Sequence, residues 1–292
     1  MVPRKVWFSK EFIGLVLIVL FIALIWGWSA LKPVDLTKPP KLLFSIPENI
    51  NSEDSLKSPM AVAVRSGILA ATDNAGGKVK FFFENGVFLK SLKVKGSKYL
   101  SSLAFDSSGG LYVGDLNNQE VYYYESPLKE SNNRKVFKKN ISPTVIETKD
   151  GLVYIADVNN SMVKIFDGNG KEVKKPIMMS YVNGIAIDDG LYLSDSNKGA
   201  VFSYLNGKIA RLSGDFSMPR GMAFDRLGNL HIVDTFANSV KVYKNNRPLY
   251  RYGGSSPGND SFSYPNAVAI DIYNDRIFIA DKGNNRVQVL GW

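Results

Sequence analysis

Six times along this chain an apolar run of strand length ends in an aspartate, turns, and continues into a second run with alternating apolar positions. The copies are LAATDNAGGKVKFF at Asp73, LYVGDLNNQEVYYY at Asp115, VYIADVNNSMVKIF at Asp157, LYLSDSNKGAVFSY at Asp195, LHIVDTFANSVKVY at Asp234 and IFIADKGNNRVQVL at Asp281. Successive aspartates are 42, 42, 38, 39 and 47 residues apart. A period near 40 with strand-type alternation is that of a propeller blade, a four-stranded unit that buries its faces only against neighbouring copies. Within each hairpin the aspartate is suited to accept hydrogen bonds from turn N–H groups, and residues such as Gly283, Asn284 and Asn285 tolerate a left-handed backbone.

Each copy carries a further apolar strand ahead of the hairpin: MAVAV (60–64), SLAFD (102–106), TVIET (144–148), GIAID (184–188), GMAFD (221–225) and AVAID (267–271). Most carry a fourth behind it, as in GVFLKSLKV, NRKVFKKNI, GKIARLSG and RPLYRYGG. No fourth strand follows the sixth hairpin, and KLLFSIP at 41–47 is a strand-like run without a copy of its own. An open ring would expose a sheet edge. Leu42 to Ile46 is therefore expected to pair with Val287 to Leu290 and close the last blade. The expected fold is all-β, a six-bladed propeller of four-stranded antiparallel blades over residues 41–292.

The stretch YGGSSPGNDSFSYPNAVAIDIYNDRIFIADKGNNRVQVL carries a glycine-rich loop, the Phe262 and Pro265 spacing, a first strand, a second strand ending in Ala-Asp, and NNRVQV. It resembles the NHL repeat, and the resemblance extends with degenerate copies over residues 41–292. Glu147 and Thr148 depart from it, replacing the usual small residue and its neighbour. The resemblance implies a six-bladed propeller more firmly than any activity, since this fold hosts enzymes, receptors and scaffolds.

Residues 1–40 differ in composition. Phe12 to Leu31 is a run of twenty uncharged residues, FIGLVLIVLFIALIWGWSAL, which as a helix spans roughly 30 Å, the thickness of a hydrocarbon core. Trp7, Trp26 and Trp28 are placed as interfacial anchors. The apolar run exceeds that of a secretory signal, and only Gly27 and Ser29 offer small residues for cleavage, so an uncleaved anchor is expected. Residues 1–11 would then form a short tail, 12–31 a single transmembrane helix and 32–40 a proline-containing linker. Arg4, Lys5 and Lys10 precede the span while Lys32, Lys38 and Lys41 follow it, a weak bias that favours an extracytoplasmic propeller.

The chain has no cysteine, so disulfides, thiolate metal sites and a cysteine nucleophile are excluded. A net charge of +9 is concentrated at Lys90, Lys93, Lys95 and Lys98, at Lys129, Arg134, Lys135, Lys138 and Lys139, and at Lys171, Lys174 and Lys175. These clusters fall on expected outer strands, where charge protects edges and also attracts an anionic polymer or acidic protein. Nucleic acid is not the expected partner of a propeller held outside a membrane.

Relatives of the NHL propellers include a zinc-dependent lyase and calcium-dependent lactonases. A three-histidine zinc site is excluded, because His231 is the only histidine. His231 stands where other copies carry Tyr112, Tyr154, Tyr192 and Phe278, which assigns it to blade packing. The residues expected around the channel mouth are Met60, Ser101, Thr144, Asn183, Arg220 and Asn266, with Glu147 one step inside as the nearest carboxylate. Calcium needs six to eight oxygen ligands, and Arg220 would oppose it. No metal, cofactor or catalytic residue is assigned. Because Asp73, Asp115, Asp157, Asp195, Asp234 and Asp281 occur in every copy, they read as structural turn residues. The expected function is a membrane-anchored, non-catalytic binding or scaffold module for a protein or anionic polymer, with a calcium-dependent lactonase or lyase as the alternative.

Overall fold

A computed structural model describes residues 18–19, 35–47, 54–129, 134–205, 207–255, 258 and 260–292. Two compact units are present, Met1–Asp35 and Leu36–Trp292. The expected membrane helix at 12–31 lies outside the described residues except for Ile18 and Val19, which are helical and exposed. Among the described residues no helix is long and apolar enough to cross a membrane.

The unit Leu36–Trp292 contains six four-stranded antiparallel sheets. Blade 1 comprises β2 (Val62–Arg65), β3 (Ile68–Asp73), β4 (Lys78–Phe83) and β5 (Phe88–Lys93). Blade 2 comprises β6 (Leu100–Phe105), β7 (Leu111–Asp115), β8 (Glu120–Tyr124) and β9 (Arg134–Lys139). Blade 3 follows with β10 (Pro143–Lys149), β11 (Leu152–Asp157), β12 (Met162–Asp167) and β13 (Glu172–Met178). Blade 4 is built from β14 (Val182–Ile187), β15 (Leu191–Asp195), β16 (Ala200–Leu205) and β17 (Lys208–Arg211), and blade 5 from β18 (Pro219–Phe224), β19 (Leu230–Asp234), β20 (Ser239–Lys244) and β21 (Arg247–Gly253). Blade 6 takes β22 (Pro265–Asp271), β23 (Arg276–Asp281) and β24 (Arg286–Gly291) from the end of the unit and its outer strand, β1 (Lys41–Ile46), from the beginning.

The closing strand has the expected partner. β1 runs antiparallel to β24, with Leu42 opposite Leu290, Phe44 opposite Val289 and Ile46 opposite Val287, and one irregularity between Leu42 and Phe44. Ile46 is 1% exposed and belongs to the cluster of Leu69, Phe82, Phe278 and Val287 that joins blade 6 to blade 1. The seam thus combines ladder hydrogen bonds with a packed interface. Five comparable clusters fill the other five junctions between neighbouring blades.

The hairpin between second and third strands has one backbone in all six copies. The fourth residue after each aspartate takes a left-handed conformation: Gly77, Gln119, Ser161, Gly199, Asn238 and Asn285, with φ between 49° and 56°. In the last copy Asn285 therefore carries the conformation for which Gly283 and Asn284 are also suited. Gly283 meets a different requirement, because a Cβ there would collide with Ser263.

Replacing Ile46 with alanine removes a buried side chain from the seam and should cost about 2–5 kcal/mol. Thermal melting of the full chain checks this, with the exposed Leu43→Ala as the control expected to stay near wild type.

Candidate functional site

The six first strands stand side by side around a central channel, and their aligned positions form layers along it. The first layer is the expected ring. Met60, Ser101, Thr144, Asn183 and Asn266, together with Glu147, line a recess of about 60 Å³, and Arg220 stands beside it through Gly221. The next apolar layer includes Val62, Leu103, Ile146, Ile185, Met222 and Val268. One position further on, the channel widens into a cavity of about 600 Å³ that opens where the first strands turn into the second.

The narrow mouth is small because its polar side chains bridge neighbouring blades. Asn74 binds Leu100 across blades 1 and 2, donating from Nδ2 to the carbonyl at 3.2 Å and accepting from the N–H at 2.8 Å. Ser101 donates to the Pro143 carbonyl of blade 3, and Thr144 to the Val182 carbonyl of blade 4. Ser194 and Ser196 donate to the Arg220 and Pro219 carbonyls of blade 5 at 3.1 and 2.6 Å. Arg220 donates to Asn266 Oδ1 at 2.7 Å, and Asn266 donates to the Met60 carbonyl at 2.6 Å, which completes the circuit. Asn183 differs, since its amide stays within blade 4 on Tyr181 and Ser196. Gly184 and Gly221 keep the circuit tight, because a Cβ on either would strike the backbone of the next blade. Burial lowers the pKa of Arg220, an effect opposed by the nearby Tyr99 phenol. Tyr99 in turn donates its hydroxyl to the Met60 sulfur at 3.7 Å.

Glu147 belongs to the wide part of the channel. Strand register fixes its equivalents: Ala63 lies opposite Ala70, Ala104 opposite Tyr112, Glu147 opposite Tyr154, Ala186 opposite Tyr192, Ala223 opposite His231 and Ala269 opposite Phe278. All six residues line the larger cavity, so its wall at this level is five alanines and one glutamate. Surrounding protein raises the Glu147 carboxyl to about 7, although its own Oε1 accepts the Thr148 N–H at 3.0 Å and Lys149 is near. Asp106 also lines this cavity, but Ser108, Gly110 and Tyr123 hold its carboxylate.

The repeat aspartates lie away from the channel, at the hairpins between second and third strands. Asp115 and Asp195 accept hydrogen bonds from their own turns, at Asn118 N–H and at Asn197 and Lys198 N–H. The other four reach back to the segment leading into the blade's first strand. Asp73 accepts from Lys57, Asp157 from Ser142, Asp234 from Ser217 and Met218, and Asp281 from Ser263. Five of the six also pair with a basic side chain, namely Lys80, Lys164, Lys198, Lys241 and Arg286 for Asp73, Asp157, Asp195, Asp234 and Asp281. Asp157 and Asp281 also accept the side-chain amides of Asn160 and Asn284 in their own turns, so four of these residues bond within the turn and four fasten a long-range connection that sequence spacing does not reveal.

His231 is fully buried, with Nδ1 3.0 Å from the Tyr252 hydroxyl and Nε2 3.4 Å from Asp225. Its ring also meets Tyr250 and Trp292 edge to face. Burial lowers its pKa against the pull of Asp225. Burial alone would raise the Asp225 carboxyl, but hydrogen bonds from His231 and Asn229 hold it below the usual carboxylate range. Among the described residues no group of three or more histidines, cysteines, aspartates and glutamates is placed to hold a metal ion.

Sequence reasoning identified the narrow ring and Glu147, but it did not reveal the wide mouth or the bridging roles of Asn74, Ser194 and Ser196. The available signal was the aligned third position after the ring, where one glutamate stands among five alanines.

Two outcomes follow. A carboxyl whose folded pKa is raised from 4.5 to about 7 binds more protons folded than unfolded, so its contribution to stability falls as pH rises through that window. Glu147→Gln should melt higher than wild type at about pH 8, by roughly 2–4 °C per kcal/mol relieved, and the difference should shrink at about pH 4. Asp281→Ala removes the acceptor of the Ser263 N–H and of Arg286 Nε, while Arg286 keeps its bond to the Ser261 carbonyl, and should cost about 1–3 kcal/mol in denaturant unfolding.

Residues 262–290 match the NHL repeat. No curated protein matches the chain by sequence. Among solved structures, a streptogramin B lyase aligns with TM-score 0.60 at 12% identity, covering 84% of this chain and 96% of that one. A catalytically inactive histidine-to-alanine variant of virginiamycin B lyase from Staphylococcus aureus, with quinupristin, aligns with TM-score 0.59 at 16% identity over 84% and 82%. A protein of unknown function from Bacteroides thetaiotaomicron gives TM-score 0.67 at 15% identity over 87% and 72%. At these identities the shared property is the fold: this chain shares the overall fold of these structures, forms a propeller with six blades, and carries an NHL repeat in the last of them.

Proposed function

We propose that this chain is a membrane-anchored, non-catalytic binding module whose propeller, on the extracytoplasmic side, presents its narrow-mouth face to a partner. The observation that carries this reading is an aromatic collar. Tyr99, Tyr181 and Tyr264 each lie two residues ahead of the ring, in blades 2, 4 and 6, and are 37%, 52% and 54% exposed. Phe236, 61% exposed, packs edge to face on Tyr264 with centroids 6.3 Å apart. Tyr181 and Tyr264 hold left-handed backbones, with φ of 53° and 47°. A bulky residue in that conformation costs on the order of 1–3 kcal/mol, and such strain concentrates at functional positions. Exposed aromatics on a rigid face are the anchors that protein partners bury. This chemistry favours a protein over an anionic polymer, although the basic outer strands β5, β9 and β13 would add long-range attraction to either.

A lactonase or lyase reading draws support from the likeness to streptogramin B and virginiamycin B lyases, which at 12–16% identity extends to the fold. Against it stand the buried, engaged His231 and a narrow ring whose polar groups bind neighbouring blades. For calcium, Glu147 would be a lone carboxylate among alanines, and calcium takes six to eight oxygen ligands.

The test is crosslinking in native membranes, comparing the full chain with a Tyr181→Ser, Phe236→Ser, Tyr264→Ser triple variant. Loss of the wild-type adduct, with the melting temperature maintained or raised, supports the collar as the docking face. An undiminished adduct overturns it. A melting shift on adding calcium, reversed by a chelator, would move the assignment to the enzyme reading.

A further inference from the structure

The wide mouth of the channel is separate from the proposed docking face, and its composition is specific. At about 600 Å³ it lies within the range of small-molecule sites. Its wall is mixed: five register-equivalent alanines, with Phe105 and Phe224 at the ends of their strands, form an apolar band, and polar and charged residues including Asp106, Asp150 and Asp188 line the rest. The apolar layer and the bridged ring restrict its far end, so it takes the form of a cup open on one side.

Repeat symmetry isolates one residue in this cup. Every other blade has alanine where blade 3 has Glu147, so the fold itself has no need of a carboxylate at this level. Its Oε1 is used locally by Thr148, and among the described residues no hydrogen-bond partner is recorded for Oε2. Of the basic residues around the cup, Arg65 is directed to the Ser107 carbonyl, and Lys149 follows two positions along the same strand. Asp150 and Asp188 stand at the rim and add negative potential.

A carboxylate set in a band of alanines, with further carboxylates toward the rim, calls for a cation, and the surroundings discriminate between kinds. A divalent metal needs several oxygen ligands, and among the described residues no group of three or more acidic or histidine side chains is placed to hold one. An organic ammonium ion needs one charge-assisted contact, while its hydrocarbon part buries against apolar walls and its charge gains from aromatic faces. We infer that the wide mouth binds a small organic ammonium ion, its cationic head on Glu147 and its apolar body against the alanine wall between Phe105 and Phe224. This inference does not depend on the partner-binding reading, which concerns the opposite face.

The experiment is calorimetric titration of the full chain, in a non-ionic detergent at about pH 8, with benzylammonium chloride, benzyl alcohol and calcium chloride. Saturable one-to-one binding of benzylammonium is expected, with benzyl alcohol about tenfold weaker or more, the margin expected for loss of a charged hydrogen bond. Glu147→Gln and Glu147→Ala should each lose at least that factor. The alanine variant installs the residue already present in the other five blades, and melting confirms that it folds. Absence of saturable binding up to about 10 mM overturns the inference, as does equal affinity for the alcohol, undiminished binding in both variants, or calcium alone occupying the site.

Discussion

The pairing of β1 with β24 is the contact on which the whole propeller depends. Each blade is a sheet with two apolar faces, and neither face is covered until a neighbour packs against it. Five junctions arise between blades adjacent in the chain, whereas the sixth requires residues from opposite ends of the unit to meet. Once they do, the array has no terminal blade, and every sheet is supported on both sides. Closure also completes the circuit of side-chain bonds around the narrow mouth, which ends on the Met60 carbonyl. Hydrophobic burial and polar bridging therefore rest on the same event.

Repetition separates structural residues from functional candidates. The left-handed fourth residue of the hairpin and the buried aspartate occur in all six blades and serve the fold in all six. Departures from repetition need individual causes. His231 replaces a tyrosine or phenylalanine, and the local contacts with Tyr252, Asp225 and Trp292 account for it. Glu147 replaces alanine with no such structural compensation. Its burial raises its pKa instead of stabilising a partner. Arg220 departs from the other ring residues, yet its bond to Asn266 makes it part of the circuit.

The two ends of the channel consequently differ in kind. At one end polar side chains are committed to holding blades together, and exposed aromatics stand around them. The other is a wider cup of mixed polarity, in which one acid stands where the other five blades have alanine. A single rigid ring can in this way carry two chemically unrelated surfaces, because neither is needed to define the other.

Blade number, hairpin positions and the closing strand were readable in the sequence, because each follows from period and alternation, which are local properties of the chain. The register that makes Glu147 equivalent to five alanines was also written there, in six alignable strands. Tertiary structure alone decided that Ser101, Thr144, Arg220 and Asn266 bridge neighbouring blades, and that four of the six aspartates bind backbone well upstream. It also decided that the channel is narrow at the expected mouth and wide at the other. Those outcomes depend on how closely blades approach and how their strands tilt, distances that emerge only when six interfaces pack simultaneously.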